Sequence, residues 1–498
     1  MIATISELSG AAVARYGNRT AVTVLGGSSL SYRDIDSLAG RLAGGLAAQG
    51  LGPDDRIALH LPNGLHWIIA YHAIARLGAV FVPCNILLTA EEVGWITDDA
   101  EVACQILPAD RVDAIQAAQL GRPLTFSEAD LDRLMAADWI AAAGRDPDDL
   151  FTIGYTSGTT GRPKGATQSH RAVAASVAMT ATVHVRHEGD RILTALPFPH
   201  VYGNVVLNAG LLAGSELYVL PRFDAGEALA AIGEHRITLF EGVPTMFYQM
   251  LAHPAADSSD LRSLTRCTVG GQTMPLAKIE EVVARFGCPL LELWGMTEVA
   301  GPAITHSPFW PPRHGSVGLP FPGTEVRINS LERPGRIARA KEAGEILVRG
   351  PLVTRGYWRN PDATGDTIDP AGWLATGDIG YVDADGYVFV VDRLKDMIIT
   401  GGYNIYPAEV EQVLAMHPAV AMSAVVGVPD AEKGELAQAY IVLAAGQAPN
   451  EADLNMHCRS RLAPYKVPRR YIFVDELPRT STGKILRRAL RDPSSPAL

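Results

Sequence analysis

The chain has 498 residues, 47% of them hydrophobic and 19% charged, an ordinary globular balance on a chain too long for one core. Lys and Arg number 43 against 54 Asp and Glu, so the net charge is −11, which excludes a general nucleic-acid binder while leaving room for one local cationic site. The five cysteines, Cys84, Cys104, Cys267, Cys288 and Cys458, form no CxxC pair, which excludes a zinc knuckle or a disulfide framework as the organising device.

The first elements alternate in type. Residues 5–16 read as a helix, 21–25 as a strand, and 32–48 as an amphipathic helix with Ser31 as N-cap and Asp34 in its first turn. The apolar stretch 64–88 contains His66, His72 and Arg76, so it reads as a buried helix followed by a strand rather than a membrane span. Strands are expected at 56–61, 79–82, 152–155, 191–196, 216–219 and 238–241, with a helix over 224–235. This alternation indicates α/β layers with buried strands. Beyond about residue 320 the texture changes to short strands, 345–349 and 387–391, separated by turns. A charged run, Asp392-Arg393-Leu394-Lys395-Asp396, separates them from a compact set: helix 407–416, strands 419–426 and 438–443, and helix 451–462. The expected architecture is therefore an α/β N-terminal region of several subdomains (1–391), a hinge (392–396) and a small α+β C-terminal domain (397–498). The opening MIATISELSG has no basic region followed by a hydrophobic core, so a cytoplasmic protein is expected, with peripheral membrane contact left open.

The most informative segment is Tyr155-Thr156-Ser157-Gly158-Thr159-Thr160-Gly161-Arg162-Pro163-Lys164-Gly165. Glycines let a backbone approach a ligand closely, and hydroxyls, N–H groups and a lysine supply what a polyphosphate needs. A Gly/Ser/Thr surface turn is the bland alternative. The spacing is not the Walker pattern GxxxxGK[ST], because Lys164 is followed by Gly165. The strand before it places the run where open α/β sheets hold ligands.

The eleven residues closely resemble the phosphate-binding signature of the adenylate-forming superfamily, which includes acyl-CoA synthetases, firefly luciferase and peptide-synthetase adenylation domains. The resemblance extends over nearly the whole chain. It implies ATP, Mg2+ and, as co-substrate, coenzyme A. It also implies that a carboxylate attacks the α-phosphorus, giving acyl-AMP and pyrophosphate, and that a thiol then releases AMP. Leu293-Trp294-Gly295-Met296-Thr297-Glu298 is similar to the motif in which the threonine meets the phosphates and the glutamate helps hold Mg2+. The resemblance adds Thr156 to the metal set. Trp294 stands where the family usually has tyrosine; it could stack on adenine or simply pack in the core. Gly270-Gly271-Gln272 resembles the adenine cradle, Asp378 the ribose carboxylate, and Arg393 a residue at the ribose or hinge.

Lys484, in Thr480-Ser481-Thr482-Gly483-Lys484, matches the adenylation lysine, whose role is electrostatic. The family's two reactions share one centre through rotation of a mobile C-terminal domain, with Lys395 at the hinge position. Lys484 then serves the first pose, and Gly401-Gly402 lines the pantetheine route in the second. Arg459, Arg461, Lys466, Arg469 and Arg470 are either CoA phosphate contacts or a solvated face, and Lys433-Gly434-Glu435 resembles a segment near the CoA path.

His200, in Pro197-Phe198-Pro199-His200-Val201-Tyr202-Gly203, resembles the gating histidine of the acid pocket. Residues 205–210 and 240–247 are expected walls, with Val243, Thr245 and Met246 shaping them. Neither Arg222 nor Arg236 is a secure partner for a second substrate carboxylate. A medium- or long-chain fatty acid is the leading expectation, and a benzoate- or cinnamate-like acid the rival. A separate phosphopantetheinyl carrier protein is the alternative thiol, a luciferase-like oxidase and a degenerate nucleotide sensor are remoter readings, and a homodimer is compatible with the sequence.

Overall fold

The computed structural model describes residues 2–156, 163–333, 335–480 and 484–491. Ser157, Gly158, Thr159, Thr160 and Gly161 of the glycine-rich run, and Ser481 to Gly483 before Lys484, lie outside the described residues. Four sheets organise the described residues.

The nine-stranded sheet runs from Ser29–Ser31 and Thr20–Val24 through Glu216–Val219, Arg191–Thr194, Leu239–Gly242, Arg266–Gly270 and Leu290–Met296 to Gly301–Thr305 and Leu319–Pro320. Its central pairs are parallel, so both faces are covered and the strands are largely buried. The six-stranded sheet has the order Leu124–Ser127, Cys104–Leu107, Arg56–Leu59, Val80–Pro83, Leu150–Thr156, Lys164–Ser169. A shared core sits between these layers, built on Trp67, Tyr71, Phe151, Phe198 and Phe247. Tyr32–Ala48 is capped as expected: the Ser31 side chain accepts from the Asp34 N–H, and Asp34 reaches back to the Ser31 N–H at 2.9 Å. The stretch 64–88 is a helix, Leu65–Leu77, then the strand Val80–Pro83. No helix among the described residues is long and apolar enough to cross a membrane.

An antiparallel sheet of four strands follows: Glu325–Ser330, Gly344–Arg349, Leu374–Val382 and Val388–Arg393. The chain leaves it through a short turn, Leu394–Asp396, and enters the last sheet at Ile398–Thr400. That sheet carries Tyr403–Ile405, Gly434–Leu443, Val420–Asp430 and Arg470–Phe473, with the helices Pro407–Ala415 and Glu451–Arg459. It has its own core around Val410, Leu414, Val425, Ile441 and Leu454. A large α/β region followed by a smaller α+β domain is the architecture present. All five cysteines are buried free thiols.

Candidate active site

In the antiparallel pair of Leu150–Thr156 and Lys164–Ser169, Thr156 stands opposite Lys164, its hydroxyl 3.4 Å from the Lys164 carbonyl. Thr297 packs against the floor of this hairpin. A Cβ placed on Gly154 would lie 2.7 Å from the Thr297 methyl, so only glycine fits that close approach. On the return strand, the Gln168 amide donates to the Thr297 carbonyl at 2.7 Å. This fixes the short helical turn Thr297–Val299 that follows the strand Leu290–Met296.

Glu298 is 5% exposed. Burial pushes its pKa up, while the Tyr357 hydroxyl, donating to Oε1 at 2.9 Å, and the nearby Arg393 charge oppose that rise. A buried carboxylate held by a hydroxyl fits a hard divalent cation, whose charge would compensate its desolvation. Among the described residues no group of three or more His, Cys, Asp or Glu could hold a metal by itself. Mg2+ held by Glu298 would need further oxygen ligands, which nucleotide phosphates would supply.

Asp378 lies on the strand Leu374–Val382, 7% exposed. The Trp294 indole N–H donates to its Oδ2 at 2.7 Å, and Arg393 Nε stands 3.3 Å from Oδ1. Trp294 itself is buried in the core with Val299, Ile304, Phe321 and Ile346. In this structure its ring belongs to the packing and its N–H orients a carboxylate.

Gly270 ends the strand Arg266–Gly270 with no room for a side chain against Leu293, and Gly271 has a left-handed φ of +92°. Gln272 is half-buried beside them. Lys484 reaches this turn from the C-terminal domain: its Cε lies 3.0 Å from where a Gly271 Cβ would be. Burial and the Arg393 charge bring the Lys484 pKa down to about 8, with Asp378 opposing. His200 caps the helix Val201–Ala213, its Nδ1 accepting from the Tyr202 N–H at 3.2 Å. Burial, then the Lys484 charge, pushes its pKa down to about 3, so the ring is neutral at physiological pH.

Lys164, Glu298, Tyr357, Asp378, Arg393, Lys484 and His200 are thus linked through contacts or mutual charge effects. Gly401 and Gly402 are not brought there. They form an exposed turn at φ of +54° and +84°, and the Gly401 N–H donates to the Lys433 carbonyl at 2.8 Å. Of the C-terminal cations, Lys466 pairs with Glu409 at 2.6 Å, while Arg459, Arg461, Arg469 and Arg470 are exposed. The sequence reading missed Tyr357, Gln168 and Thr354. Thr354 donates its N–H to the Glu298 carbonyl at 2.7 Å. Their signal is contact across distant segments, which no local spacing carries.

Around the segments expected to wall the acid pocket, the structure places more polar contacts than their apolar runs imply. The Tyr202 hydroxyl lies 2.7 Å from Thr268 Oγ1, which donates to Glu241 Oε2 at 2.9 Å. Arg186 meets the other Glu241 oxygen at 2.6 Å, both side chains being fully buried. Asn204 and Asn208 lie along the same helix, with the Tyr71 hydroxyl donating to Asn204.

The hairpin, the buried carboxylates and the lysine delivered from a second domain define a nucleotide-activating enzyme that concentrates positive charge around phosphates. Family models agree in both parts: residues 10–358 match "AMP-binding enzyme" and residues 409–484 match "AMP-binding enzyme C-terminal domain". A long-chain-fatty-acid–CoA ligase of Bacillus subtilis is 36% identical, over 96% of this chain and 92% of its own. A feruloyl-CoA synthase of an Amycolatopsis species is 38% identical over 94% of each chain. The solved structure of the anthranilate CoA ligase AuaEII in complex with anthranoyl-AMP superposes with a TM-score of 0.92 at 28% identity, covering 99% of this chain and 98% of that one. The chain belongs to the AMP-binding enzyme family, the adenylate-forming superfamily of acyl- and aryl-CoA synthetases. It is an ATP- and Mg2+-dependent carboxylate–CoA ligase, an acid–thiol ligase that works through an acyl-adenylate.

Proposed function

We propose that the acid is an aryl carboxylate, in preference to a plain fatty acid. The observation that carries this reading is a buried polar run, Tyr202–Thr268–Glu241 by hydrogen bonds and Glu241–Arg186 by ion pairing, which reaches the expected wall segment 240–247 at Glu241. A long alkyl tail is stabilised by continuous apolar contact, and buried hydroxyl and charged groups interrupt it. A compact ring with polar substituents suits such a wall better. The relatives named for feruloyl-CoA and anthranilate chemistry support the same reading. A fatty acid is the second reading, favoured by the Bacillus relative.

In this reading the acid supplies its own nucleophile, a carboxylate oxygen, and no general base is required. Lys484 stabilises the negative charge that builds between the carboxylate and the α-phosphate. His200, being neutral, turns aside from the acid site without moving a charge. Thr156, Lys164 and the glycine-rich run hold the phosphates, Thr297 and Glu298 the metal end, and Asp378 and Arg393 the ribose. Gly270, Gly271 and Gln272 form the adenine side. Bound Mg2+ would supply neutralisation of phosphate charge. The turn at 392–396 serves as the hinge that later exchanges Lys484 for Gly401–Gly402.

The test is ATP- and CoA-dependent AMP release across benzoates, cinnamates, dicarboxylates and fatty acids of graded length, with the thioester confirmed by mass. A free phosphopantetheinyl carrier replaces CoA in a parallel arm. Aryl acids are expected to give the highest kcat/KM with CoA. A preference for long alkyl acids overturns the acid assignment, and transfer confined to the carrier overturns the thiol.

A further inference from the structure

Tyr357 lies outside every motif that identified the site, yet it touches both ends of the phosphate region. Its hydroxyl donates to Glu298 Oε1 at 2.9 Å. The Lys164 ammonium stands over its ring, 5.3 Å from the centroid. Its backbone is pinned: Tyr357 bridges Ala166, the Trp358 N–H donates to the Gly165 carbonyl at 2.7 Å, and the Gly356 carbonyl accepts from the Thr167 N–H at 3.0 Å. The Tyr357 N–H is itself taken by the Thr364 hydroxyl at 2.9 Å. Residues 354–358 thus form a strap along the strand that returns from the glycine-rich run.

We propose that Tyr357 is a positioning residue that sets the Glu298 carboxylate and the Lys164 ammonium in one fixed register for a metal–nucleotide complex. The hydroxyl fixes the rotation of Glu298 by occupying Oε1, so the carboxylate does not have to be ordered when a cation arrives. The ring face holds Lys164 by cation–π attraction, which limits the wandering of a long flexible side chain. One residue therefore couples the anion-holding lysine to the cation-holding carboxylate. This inference rests on Glu298 being the metal residue of the proposed reaction.

The experiment is equilibrium binding of ATP by titration calorimetry, without acid or CoA, in the presence and absence of Mg2+. The quantity read is the ratio of the two affinities. Glu298→Gln is the reference variant, expected to abolish most of the Mg2+ gain. Tyr357→Phe keeps the ring and loses the hydroxyl; it is expected to shrink the Mg2+ gain roughly tenfold, the scale of a lost hydrogen bond to a charged group, while Mg2+-free affinity stays at the wild-type value. Tyr357→Leu removes both contacts and is expected to weaken Mg2+-free binding as well, as Lys164→Ala should. If Tyr357→Leu does not fold, Tyr357→Phe and Lys164→Ala carry the test. An unchanged Mg2+ gain in Tyr357→Phe, with Glu298→Gln impaired, overturns the role of Tyr357 alone. An unchanged gain in Glu298→Gln overturns the metal assignment and this inference with it. Equal weakening with and without Mg2+ in Tyr357→Phe marks a merely structural residue.

Discussion

At the scale of one residue, Lys484 shows how position changes chemistry. A lysine near a chain end is usually a solvated cation with an unperturbed pKa. This one lies against Gly271 and near Arg393, and burial is the larger cause of a pKa lowered to about 8. In the proposed role the charged form stabilises the adenylation transition state, and it predominates below that value. Carboxylate-dependent ATP–pyrophosphate exchange is therefore expected to lose kcat/KM as pH rises through about 8. Lys484→Arg, which stays charged, should remove that limb whatever its absolute rate. Lys484→Ala should slow the exchange roughly 10²–10³-fold. It should leave thioester formation from supplied acyl-AMP near wild type. Equal loss in both half-reactions would sink the assignment of Lys484 to the first step alone.

At the scale of elements, what was legible depended on whether the signal was local. The Ser31–Asp34 cap, the helix Tyr32–Ala48 and the strand Glu216–Val219 follow from spacing within one element, and they stand where expected. Trp294 shows the limit. Its identity left two roles open, an aromatic face for adenine or core packing; its ring lies in a core shared with the four-stranded sheet, and its N–H meets Asp378, 84 residues away. Glu241 is a second case. It lies in an apolar strand pattern, and nothing nearby in sequence announces Arg186 or Thr268 as partners. Burial pushes the Glu241 pKa up and the Arg186 pKa down, each charge easing the other. Breaking such a pair leaves an uncompensated buried charge, at a cost of about 3–5 kcal/mol. Glu241→Gln should accordingly lower the first calorimetric unfolding transition by several degrees. The double variant Arg186→Met/Glu241→Leu should recover most of that loss, because an apolar replacement removes both desolvation costs. A single variant that unfolds at the wild-type temperature would show that the pair does not support the wall.

At the scale of the molecule, polar bonds join the two parts in one pose. Asp392, on the last strand of the four-stranded sheet, accepts from the Ala408 N–H at 2.8 Å and so caps the helix Pro407–Ala415 across the junction. The Leu276 N–H donates to Gln412 of the same helix at 3.1 Å. These bonds accompany the pose in which Lys484 reaches the site and Gly401–Gly402 stays exposed. On the proposed exchange of those two groups, a large apolar interface would trap the first pose, whereas a few polar bonds would hold it without trapping it. Losing one helix cap is worth about 1 kcal/mol, close to a five-fold change in a two-state population. Asp392→Ala should therefore slow carboxylate-dependent pyrophosphate exchange about five-fold while thioester formation from supplied acyl-AMP is unchanged or faster. Both half-reactions must be measured on one preparation, because only their ratio separates a shifted pose from a damaged fold. A fall of both rates by the same factor would mean that Asp392 supports the small domain itself and not its placement.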